Sequence, residues 1–141
     1  MRSPPESAAS TGVGATVLTM RDGEWVRFVI RFEVLDVDRF REMAELMVTV
    51  SRDEPGTVVY DWYLDEDGRA GTLYEAYASH AALQAHTSGS VFSELAPKYL
   101  DSLRVVSVDV YGEAAGLPRR DVLGASTTWW GAPIAAVTEA N

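Results

Sequence analysis

Two strand-like runs, joined by a short charged loop, set the tightest limit on what this chain folds into. Thr57-Val-Val-Tyr-Asp-Trp-Tyr-Leu64 places Val58, Tyr60, Trp62 and Leu64 on one side. Val59, Asp61 and Tyr63 fall on the other, because successive strand side chains point to opposite faces. Asp65-Glu-Asp-Gly-Arg-Ala-Gly71 is too polar to bury, and Thr72-Leu-Tyr-Glu-Ala-Tyr-Ala78 returns as a second run. Residues 57–78 therefore read as a hairpin, and the Asp65-Glu66-Asp67 cluster reads as a solvated turn, since it lacks the spaced ligands of a calcium loop.

What flanks the hairpin fixes the topology. Trp25–Val34 is dense in β-branched and aromatic residues and predicts a strand ahead of it. Asp36 or Asp38 can cap a following helix over 39–52, where Phe40, Met43, Leu46, Met47 and Val50 recur at the spacing of one face. Asp53-Glu-Pro-Gly56 ends that helix, because proline cannot continue it and glycine takes the turn. After the hairpin, Ser79 caps a short helix to about His86. Ser88 or Ser90 then opens another that carries Phe92, Leu95, Tyr99 and Leu100, with a kink or break expected at Pro97. Val105–Tyr111 predicts a last strand, with Val106, Val108 and Val110 on one face.

The order β-α-β-β-α(α)-β is the split βαβ arrangement of an α+β, ferredoxin-like domain with a four-stranded antiparallel sheet over residues 24–112. Helices cover one side of such a sheet. Both faces of several strands here carry apolar or aromatic groups, so the second face is expected to pack on a copy of itself, giving a homodimer with a shared barrel. Residues 1–23 are rich in Pro, Ser, Ala, Gly and Thr and read as a flexible tail. Residues 113–141 are an extension expected to dock through Trp129 and Trp130, which are costly to leave in water.

Composition narrows the chemistry. Lys+Arg 12 against Asp+Glu 21 gives a net charge of −9, which repels phosphate backbones and argues against a nucleic-acid partner. With Cys 0 and His 2, thiolate sites are excluded and a zinc site would need carboxylates, so no metal site is expected. No apolar run approaches the roughly 20 residues of a membrane span, and the start lacks a basic-then-apolar signal pattern. A small cytoplasmic protein without a membrane partner is the simplest expectation.

Three segments carry a resemblance. Pro55-Gly56 before a strand, Tyr74-Glu75-Ala76-Tyr77-Ala78-Ser79, and Ala82-Leu83-Gln84-Ala85-His86 resemble, in order and spacing, the antibiotic-biosynthesis-monooxygenase family. The resemblance spans about 24–112. It implies a dimeric α+β barrel with a pocket between helices and sheet in each subunit. It also implies oxidation without metal or flavin: the electron-rich substrate anion itself reduces dioxygen, which is a co-substrate, and no cofactor is expected. Similar domains also serve as haem-degrading enzymes, polyketide cyclases and isomerases. Anthrone oxygenases of the family use an asparagine and a tryptophan on the third strand; Leu73 and Tyr77 stand at the matching positions. The single asparagine of the chain is Asn141, so that mechanism cannot be copied. Where the haem-degrading branch has its iron-ligating histidine stands Ala96, which disfavours haem.

The candidate catalytic residues are His86, Glu75 and Tyr77. His86 could take a phenolic proton near neutral pH, or bond a carbonyl or carboxylate and fix its helix. Leu73, Glu75 and Tyr77 share one strand face. If that face lines a pocket, burial makes Glu75 a usable base; a salt bridge to Arg27, Arg31 or His86 is the alternative. Tyr77 could stack on a planar substrate or donate to a developing oxyanion, or simply pack. Trp62, Tyr60 and Leu73, with Phe92 and Tyr99 as the opposite wall, would bind a small aromatic or polycyclic substrate; a plain core explains the same residues. The functions in view are a cofactor-independent monooxygenase for a quinol, anthrone or related polyketide, a non-oxidative cyclase or isomerase, and a non-catalytic ligand-binding dimer.

Overall fold

The computed structural model describes residues 24–112 and 117–137; the expected N-terminal tail lies outside them. β1 (Val26–Val34) leads into α1 (Val37–Ser51), β2 (Thr57–Leu64) and β3 (Ala70–Tyr77). Then come α2 (His80–Thr87), a π-helical turn (Val91–Leu95), 3₁₀ turns (Ala96–Ser102), β4 (Leu103–Tyr111) and β5 (Ser126–Gly131). The fold is α+β and ferredoxin-like, with the helices on one face of the sheet. Among the described residues no helix is long and apolar enough to cross a membrane.

The sheet has five strands in the order β2-β3-β1-β4-β5, not the four expected. It is also mixed, because β5 runs parallel to β4, pairing Val108 with Thr127 and Val110 with Trp129. Ser126-Thr-Thr-Trp-Trp130 has strand-forming residues, but its Gly/Ala/Pro-rich surroundings hid them. Its physical role is to satisfy the outer edge of β4, which would otherwise present unpaired amides and carbonyls.

Both helix caps follow the sequence. The Asp36 carboxylate accepts from the Arg39 amide at 3.1 Å, and the Ser79 hydroxyl oxygen accepts from the Ala82 amide at 3.1 Å, each meeting one of a helix's unpaired first-turn donors. Pro97 falls where helical geometry changes from π to 3₁₀. The stripe of α1 differs from expectation. Phe40, Met43, Met47 and Ser51 are buried, whereas Leu46 is 41% exposed. At about 100° per residue, Leu46 lies roughly 120° around the helix from Phe40, outside the arc that meets the sheet.

A second departure lies in β4. Ser107 pairs with Arg31 but Val105 with Phe32, so the register slips by one residue. This bulge turns Val105 toward the core and Val106 outward. Val108 and Val110 are buried as expected, while Val106 is not.

Across the helix-covered face run two rows: Trp62–Leu73–Ile30–Val108 and Tyr60–Glu75–Phe28–Val110. The first is apolar. The second places a carboxylate among aromatic and aliphatic groups. On the opposite face Arg31 pairs with Asp109 at 2.6 Å, Arg27 lies 5.3 Å over the Tyr111 ring, and Trp130 stacks on Tyr111. The Asp65-Glu66-Asp67 loop has its own order: the Asp65 carboxylate accepts from the amides of Arg69 and Ala70. Donation from the Ala70 amide is the main reason its carboxyl is held below the ordinary range.

Candidate functional site

Alternation on β3 sends Leu73, Glu75 and Tyr77 toward the helices, and all three are buried. Glu75 and Tyr77 meet directly, with the Tyr77 hydroxyl donating to the Glu75 Oε1. Arg27 and Arg31 sit on the other face, so Glu75 forms no salt bridge with them. Burial is the main force raising the Glu75 carboxyl above its ordinary range; the Tyr77 hydroxyl and the nearby His86 oppose it. Burial, reinforced by Glu75, also pushes the Tyr77 and Tyr60 hydroxyls far above the ordinary phenol range. Both phenols are therefore proton donors, not phenolates, at neutral pH.

His86, in the last turn of α2, is 1% exposed. Its Nδ1 lies 2.7 Å from the Glu54 Oε1. The Thr57 hydroxyl donates to the same oxygen at 3.1 Å. The imidazole ring centroid is 5.0 Å from that of Tyr60, 5.4 Å from Tyr77 and 5.6 Å from Phe92. The structure thus brings His86, Glu75, Tyr77, Tyr60 and Phe92 into one cluster between α2 and the sheet.

Leu73 and Trp62 occupy the neighbouring row. Trp62 stacks on Phe32 at 5.5 Å and meets Phe40 and Tyr60 edge-on, an arrangement favoured by the ring quadrupoles. Tyr99 is not part of the cluster. It donates to Glu42 at 2.5 Å and lies under the Arg39 guanidinium at 4.8 Å, against α1.

A groove of about 590 Å³ opens between α1 and β2, lined by Ala44, Val48, Thr49, Arg52, Tyr60 and Trp62 among others. That volume is within the range of small-molecule sites. Tyr60 is common to the groove and the cluster: it lines the one and touches His86 in the other. Among the described residues no three of His, Cys, Asp and Glu come together as a metal site.

Glu54 is a site residue that the sequence does not mark: Glu54-Pro55-Gly56 signals a turn, but pairing with His86 across 32 residues leaves no local pattern. Gly56 has φ +85°, and a Cβ there would stand 2.6 Å from the Ala82 Cβ. Only glycine permits this close approach of the turn to α2.

Comparison with known proteins agrees with this architecture. Residues 29–98 match the family described as antibiotic biosynthesis monooxygenase. The chain is similar to the crystal structure of MupZ from Pseudomonas fluorescens, with 20% identity, TM-score 0.56, and coverage of 63% of this chain and 72% of that one. It is similar to Rv0793 from Mycobacterium tuberculosis, with 26% identity, TM-score 0.51, and coverage of 70% and 99%. A further structure, described as an antibiotic biosynthesis monooxygenase, gives 20% identity, TM-score 0.52, and coverage of 60% and 92%. No curated protein matches the chain. Residues 29–98 therefore form a domain of the antibiotic-biosynthesis-monooxygenase family.

Proposed function

We propose that the chain is a cofactor-independent monooxygenase acting on a quinol, anthrone or related aromatic polyketide. The observation that carries this reading is the meeting of an imidazole, a carboxylate and two phenols behind an aromatic wall that also lines an open groove. A planar phenolic ring would lie against Tyr60 and Trp62. His86 or Glu75 would accept its proton, and Tyr77 would turn its single hydroxyl hydrogen from Glu75 toward the oxygen where negative charge develops. For an anthrone the balance is simple. The ring CH₂ becomes a carbonyl carrying one atom of dioxygen, and the other atom leaves as water with the two hydrogens.

The same reading includes a homodimer formed through the open sheet face, where Tyr63 and Trp130 are more than half exposed. Sedimentation velocity at micromolar concentration checks it; a monomer there rejects it.

A second reading, a non-oxidative cyclase or isomerase, is favoured by one specific feature: Leu73 and Tyr77 occupy the positions of the family's asparagine and tryptophan. Oxygen-electrode assays over a panel of quinols and anthrones separate the two. Uptake matched one-to-one to product supports the monooxygenase. Product formation without uptake rejects it in favour of the cyclase.

A further inference from the structure

Resting on that reading, we infer that Glu54 is the positioning residue that makes His86 Nε2, and not Glu75, the proton acceptor of the site. An ionised carboxylate only accepts hydrogen bonds, so at 2.7 Å from Glu54 the His86 Nδ1 carries the hydrogen. The neutral imidazole then holds its lone pair on Nε2. Among the described residues nothing hydrogen-bonds that nitrogen, while Tyr60, Tyr77 and Phe92 pack about the ring.

Orienting a base through its other nitrogen is the arrangement by which a carboxylate fixes tautomer and direction in acid–base sites generally. Glu54 is itself held: Thr57 donates to the oxygen facing His86, and the glycine turn that follows is locked against Ala82. Glu75 is differently engaged. Its Oε1 takes the Tyr77 hydroxyl, which aims that phenol and leaves Glu75 a partner of Tyr77.

The groups facing His86 are Glu54 from the turn before β2, Tyr60 on β2, and Glu75 and Tyr77 on β3. Two of these can bear negative charge, and only Glu54 touches the ring nitrogen. Replacing it by the isosteric Gln offers the ring either an amide oxygen or an amide NH₂, so the tautomer is no longer dictated.

The test pairs nitrogen-15 NMR of His86 with kinetics in wild type, Glu54→Gln and Glu54→Asp. The wild type should show the Nδ1–H tautomer. In Glu54→Gln the Nδ1–H signal should give way to a mixture with Nε2–H, kcat should fall about tenfold or more, and the acid limb of the pH–rate profile should change with it. Glu54→Asp, which keeps the carboxylate, should restore much of the wild-type tautomer and rate. An Nε2–H tautomer in the wild type overturns the assignment, as does an unmixed Nδ1–H tautomer with unchanged kcat in Glu54→Gln. An acid limb that follows Glu75→Gln instead also overturns it. The NMR arm reads the pair whether or not any substrate turns over, so failure of the monooxygenase reading is seen separately, as absent oxygen uptake with the tautomer intact.

Discussion

Tyr77 donates its hydroxyl to Glu75, two residues earlier on the same face of β3, and both side chains are buried. The contact satisfies one carboxylate oxygen but does not offset the loss of water, so the Glu75 proton is held more tightly in the fold than in the unfolded chain.

That difference sets a pH dependence with a definite sign. Because the folded-state value is raised, the contribution of Glu75 to stability is fully present below its ordinary value of 4.5. It is lost as pH rises through the folded-state value. We predict that Glu75→Gln, whose amide oxygen still accepts from Tyr77, matches wild type in Tm near that ordinary value and becomes progressively the more stable protein toward alkaline pH. Thermal denaturation across the range checks this. A variant that loses ground as pH rises contradicts it.

Asp109 has the opposite sign. The Trp130 indole donates to it at 2.9 Å and Arg31 pairs with it at 2.6 Å. Donation by Trp130, more than the Arg31 charge, holds its carboxyl below the ordinary 3.8. Its contribution is present above that value and lost as pH falls further. Because Arg31 is half exposed, solvent screens the ion pair, and we predict that Asp109→Ala costs about 1–2 kcal/mol at neutral pH. The loss should concentrate in β5: its amides should exchange hydrogen faster in the variant, while those of β1 and β3 stay protected.

The sequence made the central domain legible because its patterns are local. Strand alternation put Glu75 and Tyr77 on one face, and Asp36 and Ser79 announced their helices. Three features escaped for nonlocal reasons. β5 is stabilised by the edge of β4 and not by its own neighbours. The bulge that turns Val106 outward comes from the register with β1, which β4 alone does not specify. Tyr99 has the right period to join an aromatic wall, yet Glu42 and Arg39 on α1 claim it. Of the site, the members were readable from parity and resemblance, but the Glu54 contact that orients His86 depends on how a turn meets a helix.

That turn is open to a direct test. Gly56 combines φ +85° with 2.6 Å between an added Cβ and that of Ala82. Gly56→Ala therefore meets both backbone strain and overpacking, and we predict a cost of about 2–4 kcal/mol in denaturant unfolding. Adding Ala82→Gly removes the collision but not the strained φ, so the double variant should recover only part of the loss. Full recovery would mean that the backbone conformation carries no strain, and no loss at all would mean that the turn can move away from α2.

The groove between α1 and β2 makes the last prediction, because it can be filled without replacing any residue of the buried cluster. Thr49 is an exposed residue on the groove wall, and its hydroxyl merely donates to the Glu45 carbonyl within α1 at 2.9 Å. Thr49→Trp would lay an indole across the space a planar substrate needs, leaving Tyr60, His86 and Glu54 in place. Surface substitutions of this kind change stability by about 0.5 kcal/mol or less, so Tm should hold. If the groove is the substrate site, KM should rise by roughly tenfold or more, since a blocked cavity forfeits most ligand burial. The slope of the pH–rate profile should not change, because the proton acceptor is untouched. Unchanged KM in a folded Thr49→Trp protein would place the substrate elsewhere and leave Tyr60 as packing around His86.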